Sequence, residues 1–122
     1  MISLKQPNDP FDIDLPYGIT VTVNPLSTTS MAAAQAGARR RVEALEDQVR
    51  DRKASGLPLD GLPDLSIDEE RDGFLQCQVV YELAVRQITA WIGIEDNPPV
   101  TRDNIIAVMD LYPVGEQFLQ KL

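Results

Sequence analysis

The sequence contains no histidine and only one cysteine, Cys77, among its 122 residues. These counts exclude a Cys/His zinc site and an internal disulfide bond. They also leave the thiol without an imidazole that could activate it as a nucleophile. We therefore predict a reducing compartment for this protein. Cys77 itself is predicted to be a small buried hydrophobic side chain in the middle of a helix.

Other signatures of chemistry are also missing from the sequence. It has no glycine-rich phosphate loop, no Walker motif and no G-x-S-x-G elbow around a nucleophilic serine. Four aspartates recur at intervals of four residues, but they lack the spacing and the distal glutamate of a calcium loop. These aspartates are Asp60, Asp64, Asp68 and Asp72. We predict a protein that is not an enzyme, with no catalytic residue, no metal and no cofactor.

Basic residues are scarce: the sequence has 11 Lys and Arg against 19 Asp and Glu, which gives a formal net charge of −8. A negative field repels nucleic acid backbones and anionic membrane surfaces, so neither is an expected partner. No stretch is apolar and long enough to span a membrane, and residues 1–16 do not have the pattern of a signal peptide. The expectation is a soluble, cytoplasmic protein.

The sequence is hydrophobic in 43% of its residues but aromatic in only 6%. A chain of this length supports one modest core, which we expect to consist of aliphatic side chains. The predicted fold is a mainly α single domain over 1–122, with two long antiparallel helices, short C-terminal helices and an N-terminal β-hairpin. The predicted elements are an extended arm at 1–10, the hairpin at 11–23, and helices at 30–54, 66–92, 101–111 and 113–121.

Local signals set these boundaries. Apolar residues alternate with polar ones on both sides of a Pro-Tyr-Gly turn at 16–18, which indicates a hairpin. Hydroxyl residues at 27–30 are candidate caps for the first long helix. Ser66 and Glu69 have the spacing of a capping box for the second, and Thr101 precedes a short helix. Pro113 would interrupt that helix, so it is expected in the first turn of the last one.

Both long helices carry apolar residues spaced by three and four. In the second helix the stripe is Phe74, Cys77, Tyr81, Ala84, Ile88 and Trp91, and its width predicts a central helix. In the first helix the stripe is thin and rich in alanine, and we predict that it forms a surface for self-association or for a partner. Its residues are Met31, Ala34, Ala38, Val42, Leu45 and Val49.

Trp91 is the only tryptophan and has two interpretations. As a core anchor it would pack under the last helices, with its indole N–H donating to a loop carbonyl. As an interface residue it would be partly exposed and would contribute about 2 kcal/mol or more to binding a partner. The apolar stripe leads directly to Trp91, which favours the core role.

Residues 91–122 carry a recognisable order of motifs: WIGIED, then PVTRDNI, then VMDLYPV and FL. This order resembles the small tail assembly chaperones of long-tailed bacteriophages, prophages and gene transfer agents. Those proteins often have a Trp-x-Gly-Val/Ile-x-Asp stretch, a Pro-x-Thr-x-x-Asn segment and a helix broken by proline. The sequence departs from the family where an Asp-x-x-Gly turn is common, because residues 96–99 read DNPP. The matching positions are Trp91, Gly93, Ile94, Asp96, Pro99, Thr101, Asn104 and Pro113.

The resemblance implies a non-enzymatic chaperone in the cytoplasm of a bacterial host. Such proteins bind the tape measure protein and help to recruit tail tube protein, often as homo-oligomers that do not remain in the finished particle. Two other hypotheses stay open. One is a structural virion component, such as a head-tail or capsid-associated protein that is retained in the particle. The other is a cytoplasmic helical adaptor without a connection to phages.

Overall fold

A computed structural model describes residues 9–122 of the chain. The predicted arm at 1–10 therefore lies outside the described residues except for its last two positions, which belong to no helix or strand. The predicted mainly α fold is confirmed, with four helices beside a small antiparallel sheet. The strands are β1 (Phe11–Asp14), β2 (Thr20–Val23) and β3 (Ile88–Ile92), and the helices are α1 (Thr28–Ala54), α2 (Asp68–Gln87), α3 (Arg102–Met109) and α4 (Val114–Lys121).

Helix α1 begins at Thr28, two residues before the predicted start at 30, because Ser27, the first of the four candidate caps, holds the N-cap position. The Ser27 Oγ accepts a hydrogen bond of 3.0 Å from the Ser30 N–H, and this cap satisfies one of the free donors of the first turn. The helix ends at Ala54, as predicted. Its alanine-rich stripe, however, packs within the chain instead of forming a self-association surface. Met31 and Val49 are half-buried, and the residues buried fully in the monomer are Ala34, Ala38, Val42 and Leu45.

Helices α1 and α2 pack against each other in opposite directions. Arg41 of α1 pairs with Glu82 of α2, whereas Glu46, further along α1, pairs with the earlier residue Arg71 at 2.9 Å. A small residue on α1 makes room for the Glu82 side chain between the two helices. A Cβ added at Gly37 would lie 3.1 Å from the Glu82 Oε2. The antiparallel arrangement is therefore fixed by both charge and side-chain size.

The start of α2 differs from the predicted capping box. Ile67 holds the N-cap position and makes no side-chain cap hydrogen bond. Ser66 instead donates to the Asp64 Oδ1 twice, from its hydroxyl at 2.6 Å and from its N–H at 3.0 Å. The hydroxyl hydrogen bond, supported by the one from the N–H, lowers the pKa of the Asp64 carboxyl. Asp64 lies in the connector, the segment 55–67 between α1 and α2. Its carboxylate thus binds the serine that the spacing had assigned to the cap of the helix.

The end of α2 also differs, because the predicted helix at 66–92 stops at Gln87. Ile88–Ile92 form β3, which pairs with β2 and converts the predicted hairpin into a three-stranded sheet. Gln87 marks the change: its Nε2 donates to the carbonyls of Asn24 and Pro25 at 2.9 and 3.0 Å. Pairing with the free edge of β2 gives this segment strand hydrogen bonds in place of helical ones, and the segment ITAWI is rich in residues suited to strands.

The sheet has one buried and one exposed face, as antiparallel sheets commonly do. Its order is β1-β2-β3, with Ile13 opposite Val21 and Val21 opposite Trp91. On the outer face, the hydroxyls of Thr20 and Thr22 donate to carboxylates of β1. The inner face joins residues of all four helices in one core, whose largest fully buried side chains are Phe118, Leu83, Val21, Val23 and Val114.

The predicted core position of Cys77 is wrong, since the thiol is exposed. Phe74 and Tyr81 on the same stripe are only half-buried. The predicted stripe is fully buried only in its last three residues, Ala84, Ile88 and Trp91. Beside them, Val80 and Leu83 from a neighbouring face of α2 are also buried in the core. Apolar residues surround much of α2, so periodicity alone could not tell which face the rest of the chain covers.

The two short helices lie close to their predicted positions. The third helix spans Arg102–Met109, two residues shorter than the predicted end at 111, and the last spans Val114–Lys121. Pro113 stands at the N-cap position of α4 and follows a cis peptide bond with Tyr112. None of the helices in residues 9–122 combines the length and the apolarity needed to cross a membrane.

Candidate functional site

Trp91 occupies the inner face of β3 and is only 6% exposed. Its ring belongs to the core that the sheet shares with the helices. The indole Nε1 donates a hydrogen bond of 2.9 Å to the carbonyl of Pro98. Both features agree with the core role predicted from the sequence. The tryptophan therefore connects the core to the loop that follows β3, and this loop contains most of the motif.

Gly93 begins that loop with a φ of 90°. This left-handed backbone is rare for residues with a side chain. The glycine also lies directly against the hairpin turn, where an added Cβ would overlap the carbonyl oxygen of Gly18 and lie 3.2 Å from the Ile19 Cα. Two separate constraints, backbone angle and close approach, therefore require glycine at this motif position.

The DNPP segment at 96–99 turns without a glycine. Asp96 and Asn97 both adopt positive φ values, 65° and 44°. Asp and Asn tolerate this region better than other residues with side chains, because their short polar groups interact with the local backbone. The Asn97 N–H donates to the Ile94 carbonyl at 3.1 Å and closes the turn. Asp96 and Asn97 thus form a tight turn here without glycine.

Thr101 and Asn104 fix the end of the same loop. The Thr101 Oγ1 caps α3 by accepting from the Asn104 N–H at 3.4 Å. The Asn104 Nδ2 donates to the Pro99 carbonyl at 3.0 Å, and the Thr101 N–H donates to that same carbonyl, also at 3.0 Å. Trp91, Gly93, Asp96, Thr101 and Asn104 are therefore brought together by the structure. Their contacts and backbone angles set the path of the loop between β3 and α3, which indicates a structural role for these residues.

Pro113, the remaining motif residue, lies apart at the corner between α3 and α4. The corner exposes Leu111 and Tyr112, whose side chains are 50% and 76% exposed. The Tyr17 hydroxyl from the hairpin turn donates to the Tyr112 carbonyl at 2.6 Å. This contact anchors the corner backbone to the sheet while the two apolar side chains remain accessible.

Glu82 is a buried carboxylate at the centre of a charge cluster, and no sequence pattern predicted this cluster. It is 5% exposed, and its carboxylate pairs with the guanidinium of Arg102 from α3 and, at 3.6 Å, with the Arg41 Nε from α1. A buried carboxylate needs such partners, and the cluster thereby connects three helices.

An uncovered surface runs along the first part of α2, and we call it the open face. Its centre is formed by Gly73, Cys77 and Tyr81, which line two adjoining grooves of about 730 and 380 Å³. The first groove extends to Leu62 and Pro63 in the connector, and the second extends to the corner between α3 and α4. The signal in the sequence was the Phe74-Cys77-Tyr81 stripe, which we had assigned to the core.

Tyr81 connects the open face to the corner. Its hydroxyl donates a hydrogen bond of 2.8 Å to the Asp110 Oδ1. Burial of the ring raises the pKa of the Tyr81 hydroxyl, and the hydrogen bond and the negative charge of Asp110 raise it further. The phenol therefore remains a proton donor to Asp110 under neutral conditions and holds the corner against α2.

This shift predicts a loss of stability in alkaline solution. Because the pKa of Tyr81 is raised from 10.0, the folded protein holds this proton more tightly than the unfolded chain. The stabilising contribution is complete below pH 10 and falls as the pH rises above it. Urea unfolding from about pH 8 to about pH 11 should show this decline, and Tyr81→Phe should decline less steeply. Parallel curves for the two proteins would contradict the assignment.

The described residues contain no group of three or more His, Cys, Asp or Glu side chains placed to hold a metal ion. The open face is an uncovered groove with a partly apolar lining, formed by α2, the segment before it and the corner. The motif residues at 91–104 lie outside its lining. No protein family, curated protein or solved structure matches this chain.

Proposed function

We propose that the chain is a non-enzymatic tail assembly chaperone of a long-tailed bacteriophage, a prophage or a gene transfer agent. In this role it binds the tape measure protein in the cytoplasm of the bacterial host, keeps it soluble and helps tail tube subunits to assemble around it. The chaperone then leaves before the particle is complete. No chemical step is needed for this function.

The main support is the resemblance in residues 91–122, together with the contacts that these residues make. Five of the motif positions meet in one loop, and each has a physical reason for its residue type. The acidic surface and the open face add weaker support. A net charge of −8 favours solubility, while an apolar groove suits the helices of a long tape measure protein.

Co-expression with a candidate tape measure protein tests the proposal. We expect an affinity-tagged chain to raise the soluble fraction of the tape measure protein severalfold and to co-purify with it. The control is the same experiment with an unrelated acidic helical protein of similar size. A tape measure protein that is equally soluble with both, and that never co-purifies with the tagged chain, would refute the chaperone function.

Mass spectrometry of purified particles separates this function from that of a structural virion component. A transient chaperone is expected to be absent from finished particles or present far below stoichiometry. A stoichiometric amount would instead establish the chain as part of the particle. Self-association also remains a prediction, which light scattering at roughly tens of micromolar would test. The α1 stripe no longer supplies its surface, because that stripe lies in the core of the monomer.

A further inference from the structure

The open face combines apolar side chains from three separate parts of the chain. Phe74 and Tyr81 come from α2, Leu62 comes from the connector, and Leu111 and Tyr112 come from the corner. A Cβ added at Gly73 would meet nothing within 4 Å, so the middle of the groove has no cover. Leu111 and Tyr112 are exposed, and the other three are half-buried along the groove. Apolar side chains that remain accessible together around a groove are characteristic of protein interaction sites.

The charge around this surface has one sign. Its lining includes the carboxylates of Asp64, Glu70, Asp110 and Glu116. No Lys or Arg lines either groove in the described part of the chain. This differs from the neighbouring groove against α1, which Arg50 and Lys53 help to line. A ligand with positive charges beside an apolar surface therefore complements the open face, whereas an acidic ligand is repelled.

The dimensions indicate the shape of that ligand. From Glu70 to Tyr81 the open face follows about 17 Å of α2, which corresponds to roughly three turns of a partner helix. Helices that bind in grooves present apolar residues at positions i, i+3, i+4 and i+7. We propose that the open face binds an amphipathic helix about three turns long, with Lys or Arg flanking its apolar stripe. This inference rests on the proposed function, because the tape measure protein would supply that helix.

A synthetic peptide provides a direct test. The probe is an amidated peptide of about 15 residues with leucines at i, i+3, i+4 and i+7 and lysines beside them, and its control carries glutamates in place of the lysines. We expect the basic peptide to bind with a Kd on the order of tens of micromolar, and more weakly at high salt. The acidic peptide should bind at least about tenfold more weakly.

The location of the bound peptide can be read from the only thiol of the chain. Cys77 is exposed and lies in both grooves of the open face. Saturating basic peptide should slow its alkylation by iodoacetamide about tenfold or more, because the helix would cover it. Binding without protection of Cys77 would place the peptide elsewhere and would overturn the inference, as would equal binding of the acidic peptide.

Gly73→Lys tests the groove without weakening the fold. Lysine is a better helix former than glycine, so α2 should not be destabilised, yet a positive charge now stands where the basic peptide binds. We expect at least about a tenfold loss of peptide affinity. The matched control is Gln48→Lys on an exposed position of α1, which should change affinity less than about twofold. Equal effects of the two variants would contradict the assigned site.

The same variants separate this inference from the proposed function. If the wild-type chain co-purifies with the tape measure protein and Gly73→Lys does not, both proposals are supported. If both co-purify equally, the chaperone role stands and the open face is not its binding site. If the chain binds the basic peptide but never the tape measure protein, the binding site stands and the chaperone role fails. A dimer that Gly73→Lys disrupts would identify a second copy as the occupant and overturn the inference.

Discussion

Gly93→Ala is expected to lower the free energy of unfolding by about 3 kcal/mol or more. The left-handed backbone at φ 90° alone costs a residue with a side chain about 1–2 kcal/mol. The methyl group would also overlap the Gly18 carbonyl oxygen, which belongs to the backbone and cannot turn aside as a side chain could. The turn before β2 and the end of β3 would have to separate, and the pairing of these strands would weaken.

Gly56→Ala is the matched control for this change. Gly56 also has a positive φ, 67°, but an added Cβ would meet nothing within 4 Å. This variant should therefore lose only the backbone term of about 1–2 kcal/mol. Urea unfolding of both variants at neutral pH measures the difference. Similar losses would show that the close approach to Gly18 contributes nothing.

Trp91→Ala is expected to cost about 3–5 kcal/mol, because the ring fills the core between the sheet and the helices. Domains of this size are typically stable by about 5–15 kcal/mol, so the variant should be at or near the limit of folding. Trp91→Phe is the milder change. It keeps an aromatic ring but leaves the Pro98 carbonyl without its indole donor, for an expected loss of about 1–3 kcal/mol.

Ile92→Ala provides the control at the next residue along β3. Ile92 is 67% exposed on the outer face of the sheet, so its truncation should change the unfolding free energy by only about 0.5 kcal/mol. Thermal and urea unfolding of the three variants give the comparison. An unchanged melting temperature for Trp91→Ala, together with lost binding to a partner, would place the indole at an interface instead of in the core.

Local signals predicted much of this fold correctly. The hydroxyl cap placed the start of α1, Thr101 placed α3, and Pro113 separated α3 from α4. Each of these boundaries depends on residues within four positions of one another, so no distant part of the chain is needed to form it. The resemblance identified Gly93 as a motif residue. Its close approach to Gly18 could not be predicted, because the two residues are distant in sequence.

The candidate site was only half predicted. The Phe74-Cys77-Tyr81 stripe was recognised as apolar, but its assignment to the core was wrong. Helical periodicity shows which residues share a face, yet it cannot show which face of a broadly apolar helix its neighbours cover. The acidic lining of the open face had no sequence signal at all, because the connector, α2 and the corner contribute its residues separately.

The sequence by itself determined a mainly α domain with an acidic surface, a capped first helix and a tryptophan in the core. Composition and local hydrogen bonding suffice for these features. Tertiary structure decided three others: the strand at Ile88–Ile92, the burial of Glu82 between two arginines, and the exposure of Cys77. The strand and the burial of Glu82 depend on contacts with residues far away in the chain, and the exposure of Cys77 depends on the absence of such a contact. Local spacing in the sequence cannot predict contacts of this kind.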